Sequence, residues 1–269
     1  MPPNSSRKNR MTAPKFRRFK LDGRKIVMLT AYDWISARLL EEAGIDAVLV
    51  GDSLANVVQG KGTTLPVTLE EMIYHAEMVV RAVSRAMVVV DLPFPYCQSG
   101  KKRAVSAAAR ILKETQADAV KLEGGRNRAA TIRAVVEAGI PVLGHCGLMP
   151  QNVREYGGFS VQRDREQLLG DATAIEAAGA FGVVLECIPA ELARETSKKL
   201  AIPTIGIGAG ADCDGQILVM HDMLGFRDED DIPKHNKRYA DLGATVKDAV
   251  ARYAEEVRSG SFPTVEQSF

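Results

Sequence analysis

Strand-like and helix-like segments alternate along this chain of 269 residues, with a period of roughly 30 residues or a little more. Eight apolar runs have the character of strands: KIVMLTAYD, AVLVGD, MVVVDLP, AVKLEGG, PVLGHCG, GVVLECIP, PTIGIGAG and ILVMHDML. Such alternation predicts an α/β fold in which helices cover both faces of a parallel sheet. Eight units in a domain of ~250 residues fit a (β/α)8 TIM barrel.

An open, doubly wound sheet is the alternative arrangement of the same units. Such a sheet has a glycine-rich turn after its first strand and gathers its functional residues at one switch point. Here the first strand is not followed by that turn, and acidic residues end many strands. The barrel is therefore the predicted fold.

Helical patterns are predicted between the strands, where apolar residues recur at helical spacing. The expected ranges are 34–43, 68–83, 101–116, 127–138, 164–178 and 190–200. Thr68 and Glu71 fit a capping box at the start of the second of these helices. A long loop is expected through Gly60 and Pro66, and another long segment over 148–162.

The domain prediction is an N-terminal arm over 1–20 and one barrel domain over 21–269, which ends in a helical extension at 242–259. Residues 1–20 hold many Lys and Arg and no acid, which is typical of a disordered, solvated arm. A mitochondrial transit peptide is the alternative for this segment.

Charge and cysteine usage restrict the class of protein. The formal net charge is +1, so nothing global indicates a nucleic-acid partner. No apolar stretch approaches the ~20 residues that a helix needs to span a membrane. The four cysteines, at 97, 146, 187 and 213, lie far apart without a CxxC motif. We therefore expect reduced thiols in a cytoplasmic protein and no zinc site.

Four acidic residues stand at the carboxyl ends of strand-like runs: Asp52, Asp91, Glu123 and Glu186. In a barrel these ends meet at the face where chemistry takes place. Several carboxylates in one small pocket require a cation, a shared proton or a basic side chain. Asp52 and Asp91 follow adjacent strands, and their hard oxygen ligands select Mg²⁺ or Mn²⁺ over zinc. The pattern predicts a metal-assisted enzyme that acts on a small anion.

Each of these residues also has a structural interpretation. Asp52, Ser53 and Asp91 could form turns or cap a helix. Lys121 and Glu123, two positions apart, face the same side of a strand and could form a buried ion pair. Because desolvation roughly cancels the attraction in such a pair, charges kept inside a barrel favour a functional role.

Glu186 and His145 are the candidates for proton transfer. Glu186 ends an apolar strand and is the predicted general base, although local backbone donors could also account for it. His145 ends the run PVLGH. It could be a structural group, a hydrogen-bond donor to the substrate or a proton shuttle.

Longer motifs resemble the ketopantoate hydroxymethyltransferase family. They are VGDSLANVVQG, TTLPVTLEEMIYH, DLPF, VKLEGG, PVLGHCGLMPQ, LECIP and IPTIGIGAGADCDGQILVMHDMLG. The resemblance runs from about Met28 to the C-terminus. It implies a (β/α)8 barrel of the phosphoenolpyruvate/pyruvate superfamily that transfers a hydroxymethyl group from 5,10-methylenetetrahydrofolate to 3-methyl-2-oxobutanoate. The implied product is 2-dehydropantoate, on the route to pantothenate and coenzyme A.

The resemblance also assigns roles to residues of this chain. Asp52, Asp91 and Glu123 match the family's Mg²⁺ ligands. Asp52, Ser53, Asp91 and Lys121 match positions that bind the oxo acid. The family forms homo-oligomers, typically decamers built as pentamers of dimers.

Glu186 matches the family's proton acceptor, and His145 matches a residue near the substrate.

Three rival functions are a Mg²⁺-dependent carbon–carbon lyase or mutase of the same superfamily, a glycosidase and a non-catalytic scaffold. An aromatic content of 6% with a single Trp argues against a sugar-stacking cleft. A scaffold has no need for acids inside a barrel.

Overall fold

The structure, a computed structural model, describes residues 10–158, 160–227 and 232–269. The chain divides into two compact units, Met1–Leu218 and Val219–Phe269. In the first unit eight parallel strands pair in sequence order, and the last strand pairs with the first to close a barrel. This confirms the (β/α)8 barrel that the alternation of segments predicts.

The strands are short, and most of their residues are buried, as expected for parallel strands covered by helices. Their bounds are β1 (Ile26–Thr30), β2 (Ala47–Val50), β3 (Met87–Asp91), β4 (Ala119–Glu123), β5 (Val142–Gly147), β6 (Gly182–Glu186), β7 (Thr204–Ile207) and β8 (Gly215–Leu218).

Helices precede, connect and follow these strands. Their bounds are α1 (Ala13–Leu21), α2 (Trp34–Glu42), α3 (Leu54–Val57), α4 (Leu69–Ala82), α5 (Lys101–Thr115), α6 (Ala129–Glu137), α7 (Val153–Tyr156), α8 (Arg165–Ala177), α9 (Ala190–Lys199), α10 (Met220–Met223) and α11 (Leu242–Ser259), with 3₁₀ turns at Pro150–Asn152 and Val265–Gln267.

The predicted helices agree with α2, α4, α5, α6, α8, α9 and α11 to within two residues at each end. The capping box at α4 is present, because Glu71 N donates to Thr68 Oγ1 over 3.2 Å and Thr68 N donates to Glu71 Oε2 over 2.7 Å. Three short helices were not predicted. These are α3, within the expected loop through Gly60 and Pro66, α7 and α10.

The eighth strand is shorter than its apolar run. Pairing with β1 ends where Leu218 lies beside Leu29, and the rest of the run, Met220–Met223, is the helix α10. The prediction of one strand over the whole run is wrong, because periodicity does not separate strand from helix in a short apolar run.

The prediction of a disordered arm is wrong for residues 13–20, which belong to α1. Thr12 accepts a hydrogen bond from Lys15 N as the N-cap, and Pro14 suits the first helical turn. Phe16 is fully buried and packs edge-on against Phe181, with ring centroids 5.2 Å apart. Burial of Phe16 thus helps to order a segment whose composition is otherwise that of a solvated arm. Residues 1–9, where the arm and the transit-peptide interpretation also fall, lie outside the described residues.

Two ion pairs fix the position of the segment that includes α1. Arg10 pairs with Asp118 over 2.8 Å, and Lys20 pairs with Asp214 over 2.9 Å. Asp118 and Asp214 directly precede β4 and β8. The segment that includes α1 therefore lies across the amino-terminal end of the barrel, and the carboxyl-terminal end remains for the functional site.

The second unit contains α10 and α11. In it, the buried Asp222 accepts hydrogen bonds from Arg227 Nη1 over 3.3 Å and Asn236 Nδ2 over 3.2 Å. The helix α11 begins after Asp241, which accepts a hydrogen bond from Ala244 N. Within the described residues, no helix is long and apolar enough to cross a membrane.

Candidate active site

The inward face of the barrel changes from apolar to polar or charged along β3, β4, β5 and β6. Alternate residues share a face, and the inner core at the amino ends consists of Met87 and Val89 on β3, Ala119 on β4, Leu143 on β5 and Val184 on β6, among others. Two or four positions further along, the same strands carry Asp91, Lys121, Glu123, His145 and Glu186. By this periodicity the four charged side chains and His145 point into the carboxyl-terminal end of the barrel.

Strand register joins Asp91 to Lys121. The two residues are direct neighbours in the β3–β4 ladder, and Lys121 Nζ lies 2.6 Å from Asp91 Oδ1. The other oxygen, Asp91 Oδ2, accepts the backbone N–H of Asp52 over 3.0 Å. Both side chains are buried, so the pair holds the loop after β2 against the end of β3.

Gln151 joins the remaining acids, and the sequence did not identify it as a site residue. Its amide Nε2 donates to Asp52 Oδ2 over 2.9 Å and to the carbonyl of Leu92 over 3.1 Å. Its backbone N–H donates to Glu123 Oε2 over 3.0 Å. Gln151 ends the motif PVLGHCGLMPQ, but a neutral amide in a loop gives no charge signal in sequence. It fixes two of the predicted metal ligands relative to each other.

His145 lies between Lys121 and Glu186. Lys121 Nζ donates to His145 Nδ1 over 3.4 Å, and His145 Nε2 lies 3.2 Å from Glu186 Oε2. Burial and the charge of Lys121 lower the pKa of His145, so the ring is neutral. With Nδ1 as an acceptor, the proton is on Nε2 and faces Glu186. His145 is thus suited to orient the carboxylate of Glu186.

The charges in this cluster shift each other's pKa values. Burial and the charge of Asp91 raise the pKa of Asp52 to about 7. Burial and the charge of Asp52 raise the pKa of Glu123 well above its ordinary value. Burial alone would lower the pKa of Lys121, but the charges of Asp91, Glu123 and Asp52 outweigh it and raise that pKa. One lysine therefore does not neutralise three buried acids, and a further cation would relieve the remaining repulsion.

Ser53 and Tyr32 form a second pair at the same end. Ser53 Oγ lies 2.8 Å from Tyr32 Oη, and Tyr32 follows β1. A Cβ atom added at Gly51 would lie 2.7 Å from Ser53 Oγ. Only glycine at position 51 therefore leaves room for the serine hydroxyl next to Asp52. Tyr32, like Gln151, was not identified from the sequence.

The backbone around Glu186 is held tightly. Cys187 adopts a φ of 48°, which is uncommon for a residue with a side chain and clusters at functional sites. Its N–H donates to Ile207 O over 2.8 Å and its carbonyl accepts from Gln162 N over 3.0 Å. Gly147 has a φ of 98°, and a Cβ there would lie 2.3 Å from the carbonyl oxygen of Glu186. Both neighbours constrain the backbone at Glu186, from which its side chain extends.

The oxygen atoms available to a metal fit a hard cation. Across the described ranges, no group of three or more His, Cys, Asp or Glu side chains forms a ready-made metal cage. Glu123 Oε1 is buried and has no hydrogen-bond donor there. Mg²⁺ is usually held by one or two carboxylates and completes its shell with water and substrate oxygens. The donor set therefore fits Mg²⁺ better than a metal that needs an all-protein site.

The comparison with known families decides the identity. Residues 10–265 match the family model of ketopantoate hydroxymethyltransferase. The chain belongs to the ketopantoate hydroxymethyltransferase family. A relative from Rhodopirellula baltica, 3-methyl-2-oxobutanoate hydroxymethyltransferase, is 52% identical over 269 residues and is matched over 100% of both chains. Other curated relatives at about 50% identity carry the same name. The chain is thus an enzyme of the hydroxymethyltransferase class.

Solved structures agree with the fold. Phosphoenolpyruvate phosphomutase from Streptomyces platensis subsp. rosaceus superposes with a TM-score of 0.65 at 16% identity. The superposition covers 93% of this chain and 88% of the phosphomutase chain. A 2,3-dimethylmalate lyase, a member of the PEP mutase/isocitrate lyase superfamily, superposes with a TM-score of 0.61 at 20% identity, over 96% and 91% of the two chains.

The structure brings the predicted site residues to one end of the barrel. Contacts connect Asp52, Asp91, Lys121, His145 and Glu186 in a continuous series. Glu123 joins through Gln151 and lies 3.7 Å from His145 Nδ1. The roles assigned to these residues, and the metal set of Asp52, Asp91 and Glu123, stay predictions.

Proposed function

We propose that the chain transfers a hydroxymethyl group from 5,10-methylenetetrahydrofolate to 3-methyl-2-oxobutanoate, with formation of 2-dehydropantoate through a Mg²⁺-assisted enolate. The observation that carries the proposal is the series of contacts from the buried Asp52 to the half-buried Glu186, which pairs an acid cluster that one lysine does not neutralise with a carboxylate at the barrel mouth. Its composition suits removal of a proton next to a carbonyl group.

The binding residues stand on one side of the cluster. Asp52, Asp91 and Glu123 would hold Mg²⁺. When bound, Mg²⁺ supplies positive charge that stabilises the enolate oxygen as the C3 proton leaves. Lys121, whose raised pKa keeps it charged, attracts the substrate carboxylate. Ser53 offers a hydroxyl to the same anion.

Glu186 and His145, at the other end of the series of contacts, are the residues that remove the proton. Glu186 is only half-buried, so its carboxylate reaches the space into which a substrate enters. It takes the C3 proton as the general base. The Nε2 atom of the neutral His145 lies 3.2 Å from Glu186 Oε2, so the ring is placed to orient that carboxylate. The enolate carbon then bonds to the one-carbon unit of the folate, and one water molecule is consumed as the hydroxymethyl product and tetrahydrofolate form.

Product analysis tests this function. The purified protein should form 2-dehydropantoate only when the oxo acid, 5,10-methylenetetrahydrofolate and Mg²⁺ are all present, and EDTA should stop the reaction. A Mg²⁺-dependent lyase, the alternative reaction, would cleave a carbon–carbon bond without folate. The relative at 52% identity favours the transferase, because the lyase at 20% identity indicates the fold alone.

We also propose that the protein is a homo-oligomer, a decamer built as a pentamer of dimers, in the cytoplasm. Family membership and one surface support the assembly: Val246, Val250, Tyr253 and Val257 recur at helical spacing on α11 and are all at least 46% exposed. A helix with an exposed apolar face favours burial against another chain. Light scattering at micromolar concentration should give a mass larger than a dimer, and a monomer would contradict the proposal. The four cysteines form no disulfide, which suits a reducing compartment.

A further inference from the structure

A cavity of ≈ 430 Å³ lies beside the active site, between segments 65–70 and 94–103. The first segment follows β2 and α3, and the second follows β3, so both belong to connections that leave the carboxyl-terminal end of the barrel. This is the end at which barrel enzymes bind their substrates. The volume is in the range of pockets that bind small molecules.

One loop belongs to both the cavity and the active site. Phe94, Tyr96 and Ser99 line the cavity. Between them, Gln98 Nε2 donates to Gln151 Oε1 over 3.0 Å, and Gln151 in turn holds Asp52. A ligand in the cavity would therefore lie against the loop that supports the catalytic cluster.

The cavity wall suits a flat apolar ring. Phe94 is 38% exposed and Tyr96 is half-buried, with Pro66 and Pro95 beside them in the lining. Aromatic faces stack favourably on planar rings. The wall thus offers a surface for an aromatic group.

The rim of the cavity is basic. Arg103 lines it, and Lys101 and Lys102 precede it in the first turn of α5, which holds no acid. Within the part of the chain that the structure describes, Arg103 has no acidic partner. Glu70 also lines the cavity but is paired with Arg110 over 2.9 Å. The rim therefore attracts a carboxylate at the edge of an aromatic slot.

We propose that this cavity binds the p-aminobenzoyl-glutamate tail of the folate substrate. The benzoyl ring packs between Phe94 and Tyr96, and Arg103 pairs with a glutamate carboxylate. Lys101 and Lys102 extend the basic surface towards further glutamates, so polyglutamylated folate binds more tightly than the monoglutamate. The inference rests on the proposed function, since it names the site of the one-carbon donor.

Arg103→Gln removes the carboxylate partner and leaves the catalytic cluster intact. A hydrogen bond to a charged group contributes roughly 1.5–3 kcal/mol, so the KM for 5,10-methylenetetrahydrofolate should rise about 10-fold or more. The KM for the oxo acid and the folate-free exchange of its C3 proton should not change. In the parent, p-aminobenzoylglutamate, which lacks the pteridine, should compete with the folate, and the variant should lose this inhibition.

Lys113→Gln is the matched control, because it removes one positive charge from the last turn of the same helix. It should leave the folate KM unchanged. A parental folate KM in Arg103→Gln, with normal exchange and turnover, would overturn the subsite and leave the function standing. If the parent protein did not exchange the C3 proton of the oxo acid, both the folate subsite and the proposed function would be overturned. Light scattering could instead show a smaller mass for Arg103→Gln, with the KM values for the folate and for the oxo acid raised together. That result would assign the cavity to a subunit contact and would also overturn the subsite.

Discussion

Glu186→Gln is expected to give a folded protein that binds Mg²⁺ and the oxo acid but has lost most of its proton transfer. Glutamine keeps the size of the side chain and an oxygen that can face His145 Nε2, and it removes the basic carboxylate. A positioned general base contributes typically 10²–10⁴-fold. The exchange of the C3 proton of 3-methyl-2-oxobutanoate in deuterated water, followed by NMR without folate, should slow by about that factor.

Glu191→Gln is the control for this prediction. Glu191 lies five positions further along and is exposed, with Arg194 as its partner. The Glu191→Gln variant should exchange the C3 proton of the oxo acid at the parental rate. If Glu186→Gln also exchanged at the parental rate, the base would have to be another group, and His145 would be the first to examine.

Asp52→Asn is expected to lower Mg²⁺-dependent turnover by at least about 100-fold, because even indirect partners of a metal contribute 10–100-fold. Asparagine keeps an oxygen that can accept the hydrogen bond from Gln151 and removes only the charge. Mg²⁺ titration of the turnover and the shift of the melting temperature with Mg²⁺ measure the effect. Asp46→Asn, which changes the residue before β2 instead of after it, should behave like the parent.

Stability separates the loss of charge from a loss of folding. The pKa of Asp52 is raised to about 7 by burial and by Asp91. Folding therefore favours the protonated form of Asp52. In the metal-free parent, the contribution of this group to the free energy of unfolding is lost as the pH rises from about 4 to above 7. Asp52→Asn does not ionise, so without metal it should be at least as stable as the parent at pH 8 in urea unfolding. A clear loss of stability would assign Asp52 a structural role and contradict a metal-binding one.

The sequence predicted the barrel and the charged residues of the site for the same physical reason. Apolar strands that alternate with helices leave few arrangements, and a charge placed inside such a strand is costly unless it has a function. Asp91, Lys121, Glu123 and His145 continue the inward periodicity of their strands. Their convergence at one end of the barrel follows once the strands are parallel.

The remaining features depend on tertiary contacts that local patterns do not reveal. Gln151 holds Asp52 and Glu123 from a loop in which a neutral amide is common. Tyr32 meets Ser53 across two connections. The helix α1 is ordered by the contact of Phe16 with Phe181 and by two ion pairs with residues far away in sequence. Its basic composition alone predicts the opposite.

The central claim is that this barrel joins the one-carbon unit of folate to the C3 atom of the oxo acid. Transfer of a ¹³C label tests it most directly. The protein is incubated with Mg²⁺, 3-methyl-2-oxobutanoate and tetrahydrofolate that carries a ¹³C-labelled methylene group, and the products are read by NMR. We predict that the label appears in the hydroxymethyl carbon of 2-dehydropantoate and that EDTA abolishes it. Label that stays on folate or leaves as formaldehyde, while the oxo acid is unchanged, would contradict the claim.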